Sequence, residues 1–350
     1  MKVLVIGGSG YIGSHTVEEL LRRGHNVAVF VRGNIPIPYP ARVTLIKGDR
    51  HSHQDIAKLR SYRFDAAIDI NAYTREETQT IINALDGFVS RFIHVSTLAV
   101  CKLKPGVPLV ESDALVTDPN AGYPYDKAEC ERALRWAHTK SGFPFVSLRP
   151  TAIFGARDYL SRENYHLKRI ISGDPIIIPD SGLTPIWAVY VKDLATVLAN
   201  ALTAEGVQGR SYNLSQPEWV SINDHVAHIA RIAGTQAITA HIPSRLLERL
   251  GFNLAHFPYS LPNEMVIRVD TSAAEKDLQF VSTPYFQALH ETIGWFLERS
   301  PEIEPSIEDR FPPIIPRSRE RDLIERYRDG IRELEDRLTD DWLNESMPEM

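Results

Sequence analysis

The first half of the chain alternates between short apolar runs and amphipathic stretches. The run "KVLVIGG" is apolar up to its glycines, which is typical of a strand buried on both faces. A helical stretch, "YIGSHTVEELLRRG", follows and ends at Gly24. Further strand-like runs are "HNVAVFV", "RVTLIKGD", "FDAAIDIN", "RFIHVST" and "FVSLRP". Helical stretches near 55–62, 75–87 and 125–140 separate several of them. The pattern predicts an α/β fold with a doubly wound parallel sheet (Rossmann).

A glycine-rich loop, "GGSGYIG", joins the first predicted strand to the first helix. It satisfies Gly-x-Gly-x-x-Gly through Gly8, Gly10 and Gly13, and it satisfies Gly-x-x-Gly-x-x-Gly from Gly7. Because glycines lack side chains, such a loop can approach a pyrophosphate, whose charge then faces the helix N-terminus. A plain tight turn is the alternative, but the strand before and the helix after favour dinucleotide binding. The predicted cofactor-binding residues of this loop are Gly7, Gly10, Tyr11, Ile12 and Gly13.

The region expected to meet the adenosine end of the cofactor contains no acidic residue. An acid about 20 positions after the glycines would hold the ribose hydroxyls, but "VFVRGN" has none. Arg32 stands 19 positions after Gly13, where a guanidinium can meet a 2′-phosphate. The sequence therefore favours NADP over NAD, although a surface arginine is the alternative. Asp49 is interpreted either as an acceptor for the adenine amino group or as a helix cap.

The division of the chain follows from where the alternation holds. Residues 1–155 plus about 185–215 form the predicted dinucleotide-binding domain. Residues 156–184 plus about 216–300, where helices mix with Pro-rich turns, form a smaller substrate lobe. The remaining stretch, 301–350, reads as a linker and a charged amphipathic helix. We expect the apolar stripe of that helix to lie on the body of the protein or on a second subunit.

Composition narrows the classes of function. The chain has 350 residues and a net charge of −6, which argues against a nucleic-acid partner because nothing compensates phosphate repulsion. No apolar segment approaches the ~20 residues of a membrane span, and the N-terminal run is too short for a signal peptide. The two cysteines, Cys101 and Cys130, make no disulfide framework, which predicts a cytoplasmic protein. His51 and His53 lack further ligands, so no metal site is predicted.

Tyr123 and Lys127 are four positions apart, about one helical turn, and follow the fifth predicted strand. Proline at 124 is tolerated only in the first turn of a helix, so Tyr123 is expected near the helix start. Ligands of doubly wound sheets bind outside the carboxyl ends of the strands. There the stretch "VSTLAV" offers Ser96 and Thr97. By itself the Tyr–Lys pair is also compatible with a solvated helix face.

Several motifs occur together in one order, over about residues 1–300. They are "GGSGYIG", "GD" at 48–49, "HVSTLAV", Tyr123-x-x-x-Lys127, "LRPTAIFGARD", "VKDLA" at 191–195 and "YNLS". In this order they resemble an extended short-chain dehydrogenase/reductase of the NAD-dependent epimerase/dehydratase kind. The resemblance implies an enzyme, and a homodimer through helices flanking the sheet is usual for that family.

The resemblance also implies roles for individual residues. Tyr123 would transfer the proton of the substrate hydroxyl, and the positive charges of Lys127 and of the nicotinamide would favour its deprotonated form. Lys127 would in addition bind the nicotinamide ribose. Thr97 would orient the substrate oxygen, with Ser96 as the runner-up. Asn71 follows the fourth strand, where the family backs the cofactor, and Tyr73 is interpreted either in that way or as a core residue.

Departures from the family narrow the reaction. Sugar 4,6-dehydratases carry Thr-Asp-Glu where this chain has "TLA", so the acid and base for water elimination are missing. Sugar-nucleotide enzymes commonly have an arginine before the "V-x-D-x-A" stretch, where Thr184 and Pro185 stand here. The chain looks closer to an atypical branch related to chloroplast RNA-binding members.

Two classes of function remain after this reading. The first is an NAD(P)-dependent oxidoreductase or epimerase that acts on a hydroxyl or keto group of a small sugar-like substrate, with a nucleotide-sugar epimerase as an alternative. The second is a non-catalytic, cofactor-sensing or RNA-associated binding protein on the same scaffold. The presence of Tyr123, Lys127 and Thr97 together favours the enzyme.

Overall fold

The computed structural model of the protein describes most of the chain. The described residues are 1–35, 37, 39–104, 106–158, 162–260, 267–299, 315 and 317–346, with side chains up to 339. They cluster into two compact units. The first unit holds Met1–Asp158, Trp187–Glu218 and Val266–Ala288, and the second holds Tyr159–Ile186, Trp219–Met265 and Leu289–Met350.

A seven-stranded parallel sheet forms the centre of the first unit. The strands of the described chain are β1 (Lys2–Ile6), β2 (Asn26–Val31), β3 (Val43–Lys47), β4 (Ala66–Asp69), β5 (Arg91–Val95), β6 (Pro108–Leu109), β7 (Phe145–Pro150), β8 (Ala152–Phe154), β9 (Ile176–Pro179), β10 (Ala188–Tyr190), β11 (Arg210–Leu214), β12 (Thr239–Ile242) and β13 (Arg268–Val269). The large sheet has the order β11-β7-β5-β4-β1-β2-β3. The predicted doubly wound fold is confirmed, and the strand-like runs before residue 151 all lie in this sheet.

Helices cover both faces of the sheet, which explains why every residue of the central strands β4, β5 and β7 is buried. The helices are α1 (Tyr11–Arg22), α2 (His53–Ala57), α3 (Arg75–Leu85), α4 (Tyr123–Ser141), α5 (Arg162–Ser172), α6 (Val191–Asn200), α7 (Ile222–Ile232), α8 (Ser244–Arg249), α9 (Ser272–Leu278), α10 (Tyr285–Arg299) and α11 (Arg317–Ser346). Apolar side chains of α1 and α6 pack against one face of the sheet. Those of α2, α3 and α4 pack against the other.

Local signals fix where the helices nearest the carboxyl edge begin. The α3 helix starts with a capping box, in which Thr74 accepts from the backbone of Glu77 and the Glu77 side chain accepts from the backbone of Thr74. The α4 helix starts after Gly122, whose φ of 62° favours glycine, and Pro124 lies in its first turn. Tyr123 is therefore the first residue of α4, as the sequence predicts.

Residues 267–288 belong to the first unit, whereas the sequence assigned them to the substrate lobe. Strand β13 pairs in parallel with β6 in the first unit. The Asp193 carboxylate accepts hydrogen bonds from the backbone nitrogen of Thr283 at 2.8 Å and from its hydroxyl at 2.6 Å. These contacts are long-range, so the local periodicity of the sequence carries no sign of them.

The tail contains the predicted amphipathic helix, α11. Its N-terminal part packs within the second unit, where Glu320 and Ile324 are each 1% exposed. Glu320 there accepts from Arg169 Nε at 2.6 Å. Farther along the helix, Leu334 and Leu338 are exposed. The predicted linker lies outside the described residues apart from Ile315.

The helices of the described chain do not have the character of membrane spans. None of them is both long enough and apolar enough to cross a membrane.

Candidate active site

The glycine loop has the shape of a dinucleotide cradle. Gly7 has a φ of +88°, and a Cβ added at Gly13 would lie 2.2 Å from the Gly7 carbonyl oxygen, so both positions require glycine. At Gly10 an added Cβ would meet only that oxygen, at an ordinary 3.5 Å. Nothing in the described chain therefore explains the glycine at position 10, whereas a phosphate group approaching the backbone does. The loop fits a dinucleotide on this observation.

The helix that follows the loop supplies hydrogen-bond donors. The backbone N–H groups of the first turn of a helix lack partners within it, and here they belong to Tyr11, Ile12 and Gly13. The ring of Tyr11 is 8% exposed and is part of the core, so this residue would reach a cofactor through its backbone. With no acidic residue in this first turn, an anion is favoured at the helix N-terminus.

Two cations lie at the predicted adenosine end. Arg32 follows β2 and is exposed, and in the described part of the chain no carboxylate pairs with it. Lys47 ends β3 opposite Val31, and its Cε lies 3.2 Å from where a Cβ on Gly33 would be. Lys47 therefore lies over the residue next to Arg32. Lys47 was not singled out from the sequence, although a lysine at the end of a predicted strand was a usable signal.

Asp49 does not cap the helix after it. Ser52 is the N-cap of α2, and its hydroxyl accepts from the backbone nitrogen of Asp55. One carboxylate oxygen of Asp49 accepts from the backbone nitrogen of His51 at 3.0 Å. The helix-cap alternative is thus wrong, and the role of Asp49 toward adenine stays a prediction.

Lys127 is buried at the carboxyl ends of the central strands. Its ammonium donates to the carbonyl oxygens of Ala72 and Val95, both at 2.7 Å, and lies 3.4 Å from Nε2 of His94. Burial lowers the pKa of Lys127, and the charge of Asp69 is among the effects that oppose this shift. Lys127 thereby links the segment that follows β4 to the last residue of β5.

Tyr123 lies one turn before Lys127 and faces solvent. Its side chain is 49% exposed, and its ring centroid is 6.3 Å from that of Tyr73. Tyr73 itself is 51% exposed. The interpretation of Tyr73 as a core residue is therefore wrong. The two rings lie together at the edge where the family resemblance expects substrate.

The hydroxyls that follow β5 point in different directions. Ser96 is 4% exposed and donates to Glu131 Oε1 at 2.7 Å. Thr97 is half-buried, and its hydroxyl accepts from the backbone nitrogen of Ala99 at 3.3 Å, which leaves its own proton available. This arrangement favours Thr97 over Ser96 as the hydroxyl that orients a substrate oxygen.

A buried carboxylate that sequence reasoning missed anchors α4 to the sheet. Glu131 lies one turn after Lys127 and is 0% exposed. Its oxygens accept from Arg149 at 2.6 and 2.8 Å and from the hydroxyls of Ser96 and Ser147. Burial would raise the pKa of Glu131, but Arg149 and Ser96 outweigh it and hold the pKa at about 2. Arg149 is thus a structural residue rather than a catalytic one.

A second buried ion pair lies beside the glycine loop. Arg50, which follows Asp49, donates from both terminal nitrogens to the carboxylate of Asp69 at 3.0 and 3.1 Å. One of these nitrogens also donates to Oδ1 of Asn71 at 2.8 Å. The signal that could have found this cluster is an acid and a base at the ends of strands in one sheet, "GDR" and "DIN". Among the described residues no group of metal-ligating side chains is present.

Comparison with known proteins agrees with this architecture. Residues 3–215 match the family described as "NAD dependent epimerase/dehydratase family". The chloroplast stem-loop binding protein of 41 kDa b of Arabidopsis thaliana is 29% identical over 67% of this chain. That alignment spans 63% of the relative, which is less than two thirds of its length. A UDP-N-acetyl-alpha-D-glucosaminuronate decarboxylase of Bacillus cytotoxicus is 24% identical over 85% of this chain and 98% of the relative.

Solved structures share the fold. The UDP-glucuronic acid 4-epimerase from Bacillus cereus, solved with UDP-glucuronic acid and NAD, superposes with a TM-score of 0.69 at 22% identity, over 85% of this chain and 99% of its own. The epimerase Mth375 from Methanothermobacter thermautotrophicus has a TM-score of 0.72 at 18% identity, over 86% and 94%. The family match spans more than half of the sequence, and the chain therefore belongs to the NAD dependent epimerase/dehydratase family.

Proposed function

We propose that the protein is an NAD(P)-dependent oxidoreductase or epimerase that acts on a hydroxyl or keto group of a sugar-like substrate. The observation that carries the proposal is the placement of Lys127. It is buried against the ends of β4 and β5, one turn after the exposed Tyr123. A surface helix face would not bury its lysine in this way. The hydroxyl of Thr97 belongs to the segment that directly follows β5.

The chain's own residues would divide the chemistry. Tyr123 would take the proton from a substrate hydroxyl and return it to a keto group. Thr97 would donate its hydroxyl proton to the substrate oxygen and so orient it for that transfer. Lys127 would place a positive charge near Tyr123 and bind the ribose. Accepting and returning a hydride is the chemistry that a nicotinamide dinucleotide supplies when it is bound.

Net redox and epimerisation differ in their products, and this difference gives the test. Purified protein is incubated with candidate sugars, polyols and nucleotide sugars, and the absorbance of reduced nicotinamide is followed. Products are analysed in parallel by NMR. Net redox changes the bulk nicotinamide, whereas epimerisation changes the sugar alone. If neither the nicotinamide absorbance nor the sugar changes with any substrate, although the protein is saturated with cofactor, the proposal is contradicted for these substrate classes.

A nucleotide-sugar substrate is the alternative within this class. Two relatives are named as UDP-glucose 4-epimerases, and one is the decarboxylase of a UDP-sugar. Against this stands the missing arginine before the "V-x-D-x-A" stretch, where the chain has Thr184 and Pro185. We therefore propose that a nucleotide group, if present, is held by other residues than in those enzymes.

We expect tighter binding of NADP(H) than of NAD(H). Arg32 and Lys47 would both face the adenosine 2′-phosphate, and no acid in "VFVRGN" would repel it. A charge-assisted contact contributes about 1.5–3 kcal/mol, roughly 10- to 150-fold in affinity, and exposure favours the lower end. Replacing Arg32 by Ala should remove most of the preference, and replacing Lys47 as well should remove the rest.

Calorimetric titration with both cofactors measures this preference. The matched control is Arg22→Ala, which removes an exposed arginine from α1 and should leave the NADP(H)-to-NAD(H) ratio unchanged. Equal affinities in the wild type, or a preference for NAD(H), would contradict the predicted preference for NADP(H).

A second candidate function is an RNA-associated protein without catalysis. It is favoured by the name of one relative, the chloroplast stem-loop binding protein. The net charge of −6 opposes it. Fluorescence anisotropy with a stem-loop RNA at two salt concentrations tests it. Salt-dependent binding, together with a Tyr123→Phe variant that keeps every measurable activity, would favour this candidate over the enzyme.

The homodimer stays a prediction. Helix α4 flanks the sheet and presents Trp136, which is 52% exposed with the Lys140 ammonium 4.5 Å from its ring centroid. Such a surface suits the helix-mediated dimer that the family resemblance implies. Sedimentation velocity on the full chain should give the mass of a dimer, and a monomer at every concentration would contradict the prediction.

A further inference from the structure

Arg50 is a buried cation for which the proposed chemistry has no use. It is 8% exposed, and both terminal nitrogens bind the carboxylate of Asp69, which is 0% exposed. Burial would raise the pKa of Asp69, but the charge and hydrogen bonds of Arg50 outweigh it and hold the pKa below its ordinary value. The pair is therefore ionised in the folded protein. Removing these two charges from water costs free energy that apolar side chains at the same positions would not cost.

The third hydrogen bond of this cluster reaches the glycine loop. Arg50 donates to Oδ1 of Asn71 at 2.8 Å. The same oxygen lies 2.8 Å from where a Cβ on Gly7 would be, so the amide of Asn71 packs directly on the loop. Strand pairing fixes this position, because Asp69 is opposite Ile6 and the nitrogen of Ile70 donates to the oxygen of Ile6.

Arg50 also decides which way the amide of Asn71 is turned. An arginine only donates hydrogen bonds, so the oxygen of Asn71 must face it. The amide nitrogen then lies on the other side of Cγ. Within the described part of the chain no acceptor is hydrogen-bonded to it, and the side chain is half-buried rather than enclosed. A pair of N–H donors is thus held at the carboxyl edge of the sheet, beside Gly7.

We propose that Arg50 is a positioning residue for the cofactor. By holding Oδ1 of Asn71, it presents the amide nitrogen of Asn71 as a hydrogen-bond donor to an oxygen of the dinucleotide. The inference rests on the proposed function, because it needs a dinucleotide at the glycine loop. It assigns to Asn71 a definite donor atom and to Arg50 the role of holding that atom in place. Asp69 balances the buried charge that this arrangement requires.

The test measures cofactor affinity rather than activity. The full chain is titrated calorimetrically with NADP⁺ and with NAD⁺. Asn71→Ala removes the donor and should weaken both dinucleotides by about tenfold. Asn71→Asp keeps the shape but replaces the N–H groups by an acceptor, so it should weaken them at least as much. Asn83→Asp is the matched control, since it makes the same change at an exposed position of α3 and should leave both affinities unchanged.

The role of Arg50 is tested by a double-mutant cycle. The variant R50Q/D69N removes both buried charges at similar volume, and its glutamine can donate or accept, so it no longer fixes the amide. We expect about a five- to tenfold loss of affinity, and no further loss when Asn71→Ala is added to it. Arg50→Lys keeps a donor-only cation but loses the two-nitrogen contact with Asp69, so it should lose less affinity than R50Q/D69N without reaching the wild-type value.

The outcomes separate this inference from the proposed function. If the wild type binds neither dinucleotide, the proposed function is wrong. If the wild type binds but Asn71→Ala binds equally well, or if the losses from R50Q/D69N and Asn71→Ala are additive, the inference is wrong. A merely structural role for Arg50 would lower the melting temperature without making the two losses non-additive.

Discussion

Replacing Tyr123 by Phe should lower kcat by about 10²- to 10⁴-fold on the substrate that the screen identifies. The change removes one hydroxyl and keeps the ring that lies beside Tyr73. The proton of the substrate hydroxyl then has no acceptor in the side chain at the start of α4. Because the hydroxyl acts in the transition state rather than in cofactor binding, the affinity for the dinucleotide should change by less than about threefold.

Steady-state kinetics and calorimetric titration measure the two effects on the same preparation. The control is Tyr125→Phe, which removes a hydroxyl two residues away on the same helix and should keep kcat near the wild-type value. A Tyr123→Phe enzyme with undiminished kcat would remove Tyr123 from the chemistry. A large loss of cofactor affinity would instead indicate a role in binding.

The fold was largely accessible from the sequence because its elements are local. Most strands of the large sheet are buried along nearly their whole length, so they appear as apolar runs in the sequence. The assignment of 267–288 was not accessible in the same way. Strand β13 has two residues, and the side chain of Asp193 that anchors Thr283 is 90 positions away along the chain.

The residues of the candidate site were likewise predictable from the sequence only where they belong to a local pattern. Glycine spacing and Tyr123-x-x-x-Lys127 are short patterns, and a reader of the sequence can recognise them. Arg50 and Glu131 depend on partners that only the folded sheet brings together. Glu131 lies on a helix rich in charged residues, where a glutamate is ordinarily a solvated one. Its burial follows from Arg149, whose strand lies beneath the helix.

The Glu131–Arg149 pair matters for the site because of what it connects. Glu131 lies four residues after Lys127 on α4, and it accepts from Ser96, the residue before Thr97. Arg149 lies on β7, which pairs with β5. One carboxylate therefore holds the helix that carries the Tyr–Lys pair against the strand end that carries the hydroxyl. Removing the charge of Glu131 should therefore destabilise the fold and also disturb the positions of the site residues.

Glu131→Gln should lower the free energy of unfolding by about 3–5 kcal/mol at neutral pH, because it leaves the guanidinium of Arg149 buried without its counter-charge. The pKa of Glu131 is about 2 in the folded protein, below its ordinary 4.5. The stabilisation by its charge is thus fully present above about pH 4.5 and is lost as the pH falls toward 2. The gap between wild type and variant should narrow over that range.

Urea unfolding followed by circular dichroism, repeated across this pH range, measures the gap. The decisive comparison is Glu131→Gln combined with Arg149→Met, which removes both charges and keeps the volume of the long side chain. Because paired buried charges are replaceable by apolar groups at little cost, the double variant should regain at least half of the stability that the single variant loses. The exposed pair of Arg326 and Asp322 supplies the control, since Asp322→Asn should leave stability within experimental error. A double variant less stable than Glu131→Gln would show that Arg149 stabilises the fold through partners other than this carboxylate.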